Sequence, residues 1–502
     1  MNIVIQAGGR GSRLRHYTWN KPKCLVPYKG KPIIYHLFEK FPSCNFHIIA
    51  DYKFELIETF LKLNNPNVNY TLHRSTHVGS SAGLSDTISE LNDSPILLMW
   101  SDLFFNDLDL TNISDNTIFT TDSFTCRYKL LNDTIIKENT HTDGIPGVFY
   151  FTNKNQLKNV SNEGEFLDWI ISNDIKFKSI KLNNIKELGE FNVIKDEYDK
   201  PTHCRFFNNV DIQDDIVIKT CIVDEYSHLI ENEINWYKLV NTHFKNIPTI
   251  ISESPLILNR IKGKHLHSTK TADDSVKVEI IKNYVDSLNK LHNFKTSNTI
   301  HTDIIDVYKN KTIDRVNSVS ELIPYIDKDT ITINGVKCSN IFKDIDGFFN
   351  KYIDILTPDK FHILHGDPTF SNTLVTDDNI VWFIDPRGYF NSGNPFGDRY
   401  YDFSKLYYSA VGNYDSFNSK QFKLHLDDTC VEILMEPSSF ESTLDTVYST
   451  TFTKEELFKI KLIHGLIWLS YTGYSKEDID SIIGSFCLGL YYIQTTLNEI
   501  HT

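Results

Sequence analysis

The sequence lacks the paired cysteines that mark a zinc ribbon or a disulfide framework. It contains 8 cysteines, and no two of them stand at C-x-x-C spacing. Scattered cysteines of this kind are expected to be reduced thiols, because zinc sites and disulfide frameworks show characteristic cysteine spacings. Reduced thiols are typical of cytoplasmic proteins. The pattern therefore argues against a small secreted domain held together by disulfides.

Basic charge is not in excess, and there is no long apolar run. Lys and Arg number 51 against 65 Asp and Glu, which gives a formal net charge of −14. A dedicated nucleic-acid binder usually has a basic face, so no nucleic-acid partner is expected. The apolar runs fall far short of a membrane span, and the segment MNIVIQAGG has neither the charged region nor the long apolar region of a signal peptide. We expect a cytoplasmic protein without membrane insertion.

The 502 residues, 40% of them hydrophobic, suffice for two to four well-cored domains. In the first two hundred residues, short apolar segments rich in Ile, Val and aromatics alternate with helical segments. The predicted strands are 2–6, 46–51, 68–73, 95–102 and 147–151, and the predicted helices are 32–41, 53–63 and 81–91. Such alternation predicts an α/β domain with a mainly parallel sheet.

The texture of the sequence changes near residue 205. An antiparallel meander is predicted first, followed by a helix over 226–244 and a strand within 254–266. From about 275 the sequence predicts mostly helix, interrupted by a loop and hairpin over 362–387 and ending in two or three helices. We therefore expect domains 1–204 and 205–502, directly adjoining, without internal repeats or a low-complexity linker.

A glycine-rich loop follows the first predicted strand, in the segment QAGGRGSRLRHYTWNKPKCLVP (6–27). Gly8, Gly9 and Gly11 allow backbone N–H groups to approach phosphate oxygens closely. Arg13 and Lys23 add positive charge, which could neutralise a triphosphate and the pyrophosphate that leaves it. The segment fits neither the Walker A pattern nor G-x-G-x-x-G.

The whole segment resembles the signature of the sugar-1-phosphate and phosphocholine nucleotidyltransferases, roughly G-G-x-G-[ST]-R-L-x-x-x-T-x-x-x-P-K-x-x-x-P. The resemblance implies a Rossmann-like fold of the glycosyltransferase-A type. It also implies transfer of a nucleotidyl group from a nucleoside triphosphate to a phosphomonoester, with release of pyrophosphate. Gln6 and Ala7 would then join the three glycines at the nucleotide.

Four later segments resemble other parts of the same family. VGSSAGLSDTI (78–88) resembles the G-T-A-G loop that holds the nucleobase, with Gly83 at its second glycine. LLMWSDLFF (97–105) resembles the strand whose final aspartate, here Asp102, carries the catalytic Mg²⁺. KELGEFNVI (186–194) resembles the second metal segment, D-x-G-T, with Glu187 in place of the aspartate. GIPGVFYF (144–151) resembles a strand whose glycine, here Gly147, makes room for the substrate.

A second phosphate-handling pattern lies in the C-terminal half. HGDPTFSN contains Asp367 and Asn372 at D-x-x-x-x-N spacing, and FIDPRG follows with Asp385. This is the spacing of the kinase catalytic loop. A short loop can place Asp367 at the attacking hydroxyl, while Asn372 and Asp385 bind Mg²⁺ that bridges the ATP phosphates.

The segment resembles the choline kinase and aminoglycoside phosphotransferase family, which implies a bilobal protein-kinase-like α+β domain with an N-lobe over 205–262 and a C-lobe over 263–502. Lys219 would contact the ATP phosphates and pair with Glu233 on the next helix, with Glu231 as the rival partner. No glycine lies between residues 190 and 262, so the Gly-rich loop of protein kinases is missing. This departure favours a small-molecule kinase, with an acceptor site walled by helices beyond residue 410.

Together the two halves predict a bifunctional, Mg²⁺-dependent enzyme. One half would phosphorylate a small sugar or alcohol with ATP. The other would couple the phosphomonoester to a nucleotide from CTP, UTP or GTP, giving an NDP-sugar or CDP-alcohol; family resemblance implies a use in surface-glycan or capsule synthesis. The alternatives are an amino-alcohol kinase joined to a phosphocholine-type or phosphoethanolamine-type cytidylyltransferase, and a non-catalytic nucleotide-binding assembly protein. The sequence leaves homo-oligomerisation open.

Overall fold

The computed structural model describes residues 1–106, 108–111, 113–200, 208–269 and 273–499. The chain divides into two compact units, which are Met1–Lys200 with Lys476–Asp480, and Pro201–Ser475 with Ser481–Thr502. The domain boundary that the sequence predicts between 204 and 205 lies outside the described residues, as do Cys204 and the first residues of the predicted meander. The described cysteines are free thiols. None of the described helices is both long enough and apolar enough to span a bilayer.

The first unit is an α/β structure. Its strands are β1 (Asn2–Gln6), β2 (Pro27–Tyr28), β3 (Lys31–Pro32), β4 (Asn45–Ala50), β5 (Asn69–Arg74), β6 (Ile96–Trp100), β7 (Leu103–Phe105), β8 (Thr117–Thr121), β9 (Lys129–Leu131), β10 (Thr134–Ile136), β11 (Val148–Phe151), β12 (Lys178–Leu182) and β13 (Ile185–Glu187). Its α-helices are α1 (Ile33–Lys40), α2 (Phe54–Asn64), α3 (Leu84–Glu90), α4 (Phe166–Ser172) and α5 (Phe191–Tyr198). Each strand and helix predicted from the first two hundred residues corresponds to one of these elements, with ends that differ by a few residues.

A seven-stranded sheet organises this unit in the order β12-β8-β11-β6-β1-β4-β5. Strands β6, β1, β4 and β5 run parallel, whereas β11 runs antiparallel to both of its neighbours. Strand β1 reads as a continuous apolar run because helices cover both faces of such a sheet. The chain leaves β1 toward β4 on one side and returns through β6 on the other. The loop after β1 therefore stands at the point where strand order reverses, which is where open α/β sheets bind ligands.

The second unit begins with an antiparallel sheet and one helix. The strands are β14 (Asn208–Ile212), β15 (Ile216–Cys221), β16 (Ile250–Glu253) and β17 (Leu256–Asn259), in the order β14-β15-β17-β16, and the helix is α6 (Ser227–Val240). Tyr237 and Val240 of α6 join Leu256 and Leu258 of β17 in the core of the unit. The meander, helix and strand that the sequence predicts here are present in the described residues.

The remainder of the second unit is mostly helical, with short strands between the helices. Its strands are β18 (Lys264–His265), β19 (Thr296–Asn298), β20 (Thr330–Ile333), β21 (Val336–Ser339), β22 (Lys360–Ile363), β23 (Thr373–Val375), β24 (Val381–Phe383), β25 (Phe396–Gly397), β26 (Phe422–Leu426) and β27 (Cys430–Met435). Its α-helices are α7 (Asp274–His292), α8 (His301–Ile304), α9 (Lys311–Asn317), α10 (Ile345–Leu356), α11 (Arg399–Ala410), α12 (Tyr414–Asn418), α13 (Glu441–Thr451), α14 (Lys454–Thr472) and α15 (Ile479–Asn498).

The prediction of mostly helix from residue 275 was wrong at the sheet β21-β20-β27-β26. Asn334 and Gly335 join β20 to β21, and both adopt positive φ, 46° and 79°. Asn-Gly is the favoured pair for a two-residue hairpin turn, because such turns require positive φ at both central positions. The turn therefore carried a local signal for this hairpin.

Candidate active sites

The glycine loop of the first unit is closed around Lys23. Gly11 adopts a φ of +70°, and a Cβ at this position would lie 2.9 Å from the Cβ of Lys23 and 3.2 Å from Cγ2 of Thr18. The Thr18 hydroxyl donates a hydrogen bond to the Gly11 carbonyl, at 2.9 Å. Only glycine fits this combination of backbone angle and close packing. Close packing against the Lys23 side chain therefore restricts the conformation of the loop at Gly11.

The start of the loop is tied to the sheet, while Gly9 stays open. The Ala7 N–H donates to the Ile49 carbonyl at 2.8 Å. A Cβ at Gly8 would meet the Asp51 backbone nitrogen at 3.4 Å, whereas one at Gly9 would meet nothing within 4 Å. Gly9 thus leaves room beside an exposed stretch of backbone, which is what an approaching phosphate needs.

Gln6 links this loop to the segment that contains Gly83. Its side-chain amide donates to the Ala82 carbonyl at 3.1 Å. Gly83 has a φ of +70° and begins α3, and a Cβ there would lie 2.8 Å from the Cβ of Ser75 and 2.9 Å from Cγ2 of Ile49. The two segments that resemble the phosphate and nucleobase loops are therefore adjacent.

Two cations and two carboxylates that are far apart in sequence lie together in this site. Lys23 Nζ is 2.7 Å from Asp102 Oδ2, and Arg13 Nη2 is 2.7 Å from Glu187 Oε1. Arg13 also pairs with Glu190. Antiparallel pairing of β7 with β13 brings Glu187 beside the strand that follows Asp102. The Leu188 N–H donates to the Asp102 carbonyl at 2.7 Å and fixes this arrangement.

The proximity of the two carboxylates is visible in their electrostatics. Burial and the nearby charge of Asp102 raise the pKa of Glu187, although Arg13 acts to lower it. Burial acts to lower the pKa of Arg13, but the carboxylates of Glu187, Glu190 and Asp102 raise it overall. The site therefore contains like charges held close together, an arrangement that a further cation would relieve.

Asp102 and Glu187 fit the requirements of a magnesium ion. A Cβ at Gly189 would lie 2.6 Å from Asp102 Oδ2 and 3.2 Å from Glu187 Oε1, so both carboxylates face one small region that glycine leaves clear. Carboxylate oxygens are the ligands Mg²⁺ prefers, and it usually takes one or two of them together with phosphates and water. Among the described residues there is no group of three or more His, Cys, Asp and Glu side chains suited to a metal.

Gly147 has a neighbour that the sequence did not suggest. It adopts a φ of +93°, and a Cβ there would lie 2.0 Å from Nε1 of Trp100. The space that Gly147 was expected to leave for a substrate is taken by the Trp100 indole, which also packs edge-on against Phe149 and Phe166.

In the second unit, Lys219 lies between two carboxylates. Its Nζ is 2.7 Å from Glu233 Oε2 and also pairs with Asp385. The Lys219 and Glu233 side chains are 9% and 6% exposed, while Glu231 faces solvent. The two carboxylates raise the pKa of Lys219 despite its burial. Lys219 of β15 thus joins Glu233 of α6 to Asp385 after β24, and Glu231 is not the partner.

The loop before β23 places Asp367 and Asn372 side by side. The Asn372 amide donates to Asp367 Oδ2 at 3.1 Å and to the Asp367 carbonyl at 2.8 Å. Asp402 of α11 fixes the position of this loop, because its carboxylate accepts hydrogen bonds from the N–H groups of His365 and Gly366, both at 2.9 Å. The buried Asp402 is therefore a positioning residue.

The hairpin β23–β24 connects this loop to Asp385. The Ile384 N–H donates to the Asn372 carbonyl at 3.0 Å. Asp385 itself has a φ of +56°, an uncommon angle for a residue other than glycine. Strain of this kind is concentrated at functional sites. The pair Asp367–Asn372 is thus connected through Ile384 to Asp385, which in turn contacts the pair Lys219–Glu233.

The sequence analysis missed several cations near Asp367. Lys405 Nζ lies 3.0 Å from Asp367 Oδ1, and Arg387 packs beside Gly366. Arg387 lies within the segment FIDPRG, two residues after Asp385, so its position was a signal, whereas Lys405 lies three residues after Asp402, outside the segments quoted above.

Comparison with known proteins assigns part of the first unit to a domain family. Residues 3–112 match the family model described as the MobA-like NTP transferase domain. The chain therefore contains an N-terminal MobA-like NTP transferase domain with nucleotidyltransferase relatives, which confirms that part of the sequence-based interpretation. The kinase resemblance of the C-terminal half stays a prediction.

Individual relatives match only a part of the chain. The Bifunctional protein GlmU of Methanocaldococcus jannaschii is 33% identical over 109 residues, which is 21% of this chain and 26% of that protein. The CTP:phosphoglutamine cytidylyltransferase of Campylobacter jejuni is 46% identical over 50 residues, 10% of this chain and 20% of that protein. The chain thus spans about a quarter of the length of the first curated relatives. The crystal structure of HddC from Yersinia pseudotuberculosis is similar with a TM-score of 0.33 and 19% identity, covering 38% of this chain and 94% of that one.

Proposed function

We propose that the first unit transfers a nucleotidyl group from a nucleoside triphosphate to a phosphomonoester and releases pyrophosphate. The observation that carries the proposal is the contact of Lys23 with Asp102, at 2.7 Å, beside the pair Arg13–Glu187. Cations for phosphates and carboxylates for a metal are here combined at the end of the glycine loop. The matched NTP transferase domain and the cytidylyltransferase activity named for the relative from Campylobacter jejuni support the same proposal.

In this reaction an oxygen of the acceptor phosphate attacks the α-phosphorus, and no protein nucleophile is needed. Backbone N–H groups from Gly8 to Gly11 would hold the triphosphate, because the Ala7 N–H already donates to the Ile49 carbonyl. Arg13 and Lys23 would stabilise the negative charge that builds up on the leaving pyrophosphate. Asp102 and Glu187 would hold Mg²⁺, which supplies charge neutralisation at the phosphates when it is bound. Positioning and electrostatics together would supply the catalysis.

We further propose that the second unit transfers the γ-phosphoryl group of ATP to an alcohol. This rests on the contact of Asp367 with Asn372 at 3.1 Å, together with the pair Lys219–Glu233 and its link to Asp385. Asp367 would accept the proton of the attacking hydroxyl and Lys219 would bind ATP phosphates. Asn372 and Asp385 offer oxygen ligands suited to Mg²⁺, which neutralises the phosphates when bound.

The two activities fit in series, because the second unit makes a phosphomonoester and the first consumes one. The overall product would be an NDP-sugar or a CDP-alcohol, made with ATP and a second triphosphate. Activated compounds of this type serve as precursors in surface-glycan assembly, and we propose that use for the product.

The test uses two isosteric variants of the full chain. Asp367→Asn should abolish ADP release from ATP with an alcohol acceptor and spare pyrophosphate release from a supplied phosphomonoester. Asp102→Asn should do the reverse. ADP and pyrophosphate are measured by coupled assays over the common nucleoside triphosphates and a panel of alcohols, sugars and their phosphates. Loss of both activities in either variant, with an unchanged circular dichroism spectrum, would refute two separate sites; no turnover of any acceptor by the unaltered protein would refute the bifunctional proposal.

A further inference from the structure

A cluster of four cationic side chains surrounds Asp367 in the second unit. It consists of Lys311 and Arg315 on α9, Arg387 after β24, and Lys405 on α11. Lys405 Nζ lies 3.0 Å from Asp367 Oδ1, and a Cβ at Gly366 would lie 3.0 Å from the Cβ of Arg387. Lys405 and Arg387 are therefore in contact with the proposed catalytic base and its immediate neighbour, and the charges of Lys311 and Arg315 act on the same group of side chains.

Tyrosine rings separate these cations and hold them in place. Arg387 lies over the ring of Tyr389, with its guanidinium carbon 4.2 Å from the ring centroid. Lys405 lies 5.8 Å from the centroid of Tyr401 and 5.1 Å from that of Tyr408. Arg315 donates hydrogen bonds to the carbonyl and hydroxyl of Ser470, at 3.1 and 3.0 Å. Arg387 and Arg315 are thus held by an aromatic face and by neutral acceptors, whereas Lys405 also pairs with the Asp367 carboxylate.

The cluster carries more positive charge than its protein surroundings neutralise. Lys405 pairs with Asp367, but the salt bridges among the described residues include none from Lys311, Arg315 or Arg387. Burial, together with the charges of Arg387, Arg315 and Lys405, lowers the pKa of Lys311 well below its ordinary value. Buried cations are normally paired, because removing a charge from water is costly. An anion among these side chains would supply the missing countercharge.

We propose that the phosphate acceptor of the second unit is an alcohol that itself carries an anionic group, a carboxylate or a phosphate, and that this cluster binds that group. The proposal rests on the proposed phosphotransferase function of the same site. Arg315 and Arg387 offer the planar, forked donors that match carboxylate and phosphate oxygens. With the anion bound there, the hydroxyl of the same molecule lies within reach of Asp367.

The transfer step is balanced without any further reactant. The acceptor oxygen forms a bond to the γ-phosphorus of ATP while the bond from that phosphorus to the β,γ-bridging oxygen breaks. The hydroxyl proton goes to Asp367, and ADP leaves with the electrons of the broken bond. The product carries its original anionic group and a new phosphomonoester.

The positive charge of this cluster disfavours the binding of cationic acceptors. Choline or ethanolamine would place its ammonium among four cations that are half-buried in a low-dielectric environment, where like charges repel more strongly than in water. Rejection of the wrong charge is a common way to obtain specificity. Of the acceptor classes predicted from the sequence, the cluster therefore favours acidic sugars and hydroxy acids over amino alcohols.

The first experiment compares acceptors that differ in charge. ADP release from Mg·ATP by the full chain is measured with D-glycerate, gluconate and glycerol 3-phosphate, with the neutral alcohols glycerol and sorbitol, and with ethanolamine and choline. We expect kcat/KM for at least one anionic acceptor to exceed that of its neutral counterpart by 100-fold or more. Carboxylate and phosphate are distinguished by comparing glycerate with glycerol 3-phosphate. ADP release that is highest with a neutral or cationic alcohol would overturn this proposal and leave the phosphotransferase function intact, whereas no ADP release with any acceptor would overturn both.

The second experiment removes one charge of the cluster. Lys311→Gln is compared with Lys309→Gln, a matched change in the preceding turn of helix, where Lys309 pairs with Asp346 at 2.6 Å. We expect Lys311→Gln to raise the KM of the preferred anionic acceptor, and the Kd of D-glycerate in the absence of ATP, at least tenfold. The KM of ATP should change less than twofold, and Lys309→Gln should leave all three constants unchanged. A rise in the KM of ATP alone would mean that the cluster binds only nucleotide phosphates, and would overturn the proposal.

Discussion

Glu187 is a half-buried acidic residue close to both a second carboxylate and an arginine. It replaces an aspartate of the resembled pattern, yet its carboxylate lies beside Asp102 and pairs with Arg13. Burial and the Asp102 charge raise its pKa above the ordinary value of 4.5. A carboxyl group that binds its proton more tightly in the folded state loses stabilising effect as the pH rises from 4.5 through the folded pKa.

This shift gives Glu187→Gln opposite effects on stability and on activity. We expect the melting temperature of the variant, relative to that of the unaltered protein, to be higher at pH 7 than at pH 4, because the amide does not ionise. Nucleotidyl transfer should fall at least about 10-fold, since one proposed metal ligand is lost. Calorimetric melting at the two pH values and a pyrophosphate assay measure the two effects. A relative melting temperature that is lower at pH 7 than at pH 4 would contradict the assigned environment.

A substitution at Gly9 is expected to affect nucleotide binding without affecting the stability of the fold. A Cβ there meets nothing within 4 Å, and its φ is not in the left-handed region, so Gly9→Ala should leave the melting temperature unchanged within error. The added methyl group would nevertheless stand where phosphates are proposed to approach the backbone. We expect the KM of the nucleoside triphosphate to rise about tenfold, equivalent to roughly 1.4 kcal/mol. An unchanged KM would place the triphosphate elsewhere.

At the scale of elements, the pair Lys219–Glu233 connects β15 to α6. Both side chains are almost fully buried, so Lys219→Met would leave Glu233 without its cation. Breaking a buried pair from one side costs about 3 kcal/mol or more. We expect a loss of that size in urea unfolding, together with loss of ADP release. Lys238→Met on the same helix removes an exposed partner of Glu253 and should cost less than about 1 kcal/mol. Equal effects of the two substitutions would contradict the role of burial.

Elements with strong local signals could be predicted from the sequence. The apolar runs NIVIQ and GVFYF form β1 and β11, and the amphipathic pattern after residue 226 forms α6. The strands β20 and β21 were missed although Asn334 and Gly335 mark their turn, because their alternation is short and lies among helical segments. The Asn-Gly pair was sufficient to predict this turn, but the neighbouring helical segments favoured the interpretation of a helical lobe.

Contacts between distant elements could not be predicted in the same way. The pairing of β7 with β13 brings Glu187 to Asp102, and the packing of α9 and α11 near the Asp367 loop gathers Lys311, Arg315 and Lys405. No spacing in the sequence encodes such proximity, because it depends on how the elements fold together. The motif residues could be named beforehand, whereas the charges that surround Asp367 could not.

At the scale of the whole molecule, each candidate site is built within a single unit. Arg13, Lys23, Asp102 and Glu187 belong to Met1–Lys200, and the residues of the second site belong to Pro201–Ser475. A diffusing intermediate should therefore pass between molecules. We expect an equimolar mixture of the Asp102→Asn and Asp367→Asn proteins, supplied with acceptor, ATP and the second triphosphate, to recover at least about half of the conversion rate measured for one equivalent of the unaltered protein.

Each variant alone, at twice the concentration, serves as the control for this mixture and should form no final product. Product is quantified by chromatography of the nucleotide-linked compound. A mixture that makes no product, while each variant retains its own half-reaction, would mean that the intermediate does not leave the molecule in which it is made.

Both sites share one structural device, a lysine ammonium on the carboxylate proposed to face a divalent cation: Lys23 on Asp102, and Lys219 on Asp385. An ammonium that moves from its carboxylate toward an arriving phosphate would free that carboxylate oxygen for a metal. Under the proposed functions, nucleotide and metal would help one another to bind, and neither alone would reach its full affinity. Such a site would be active when nucleotide and metal are both present, and would have little activity when only one of them is abundant.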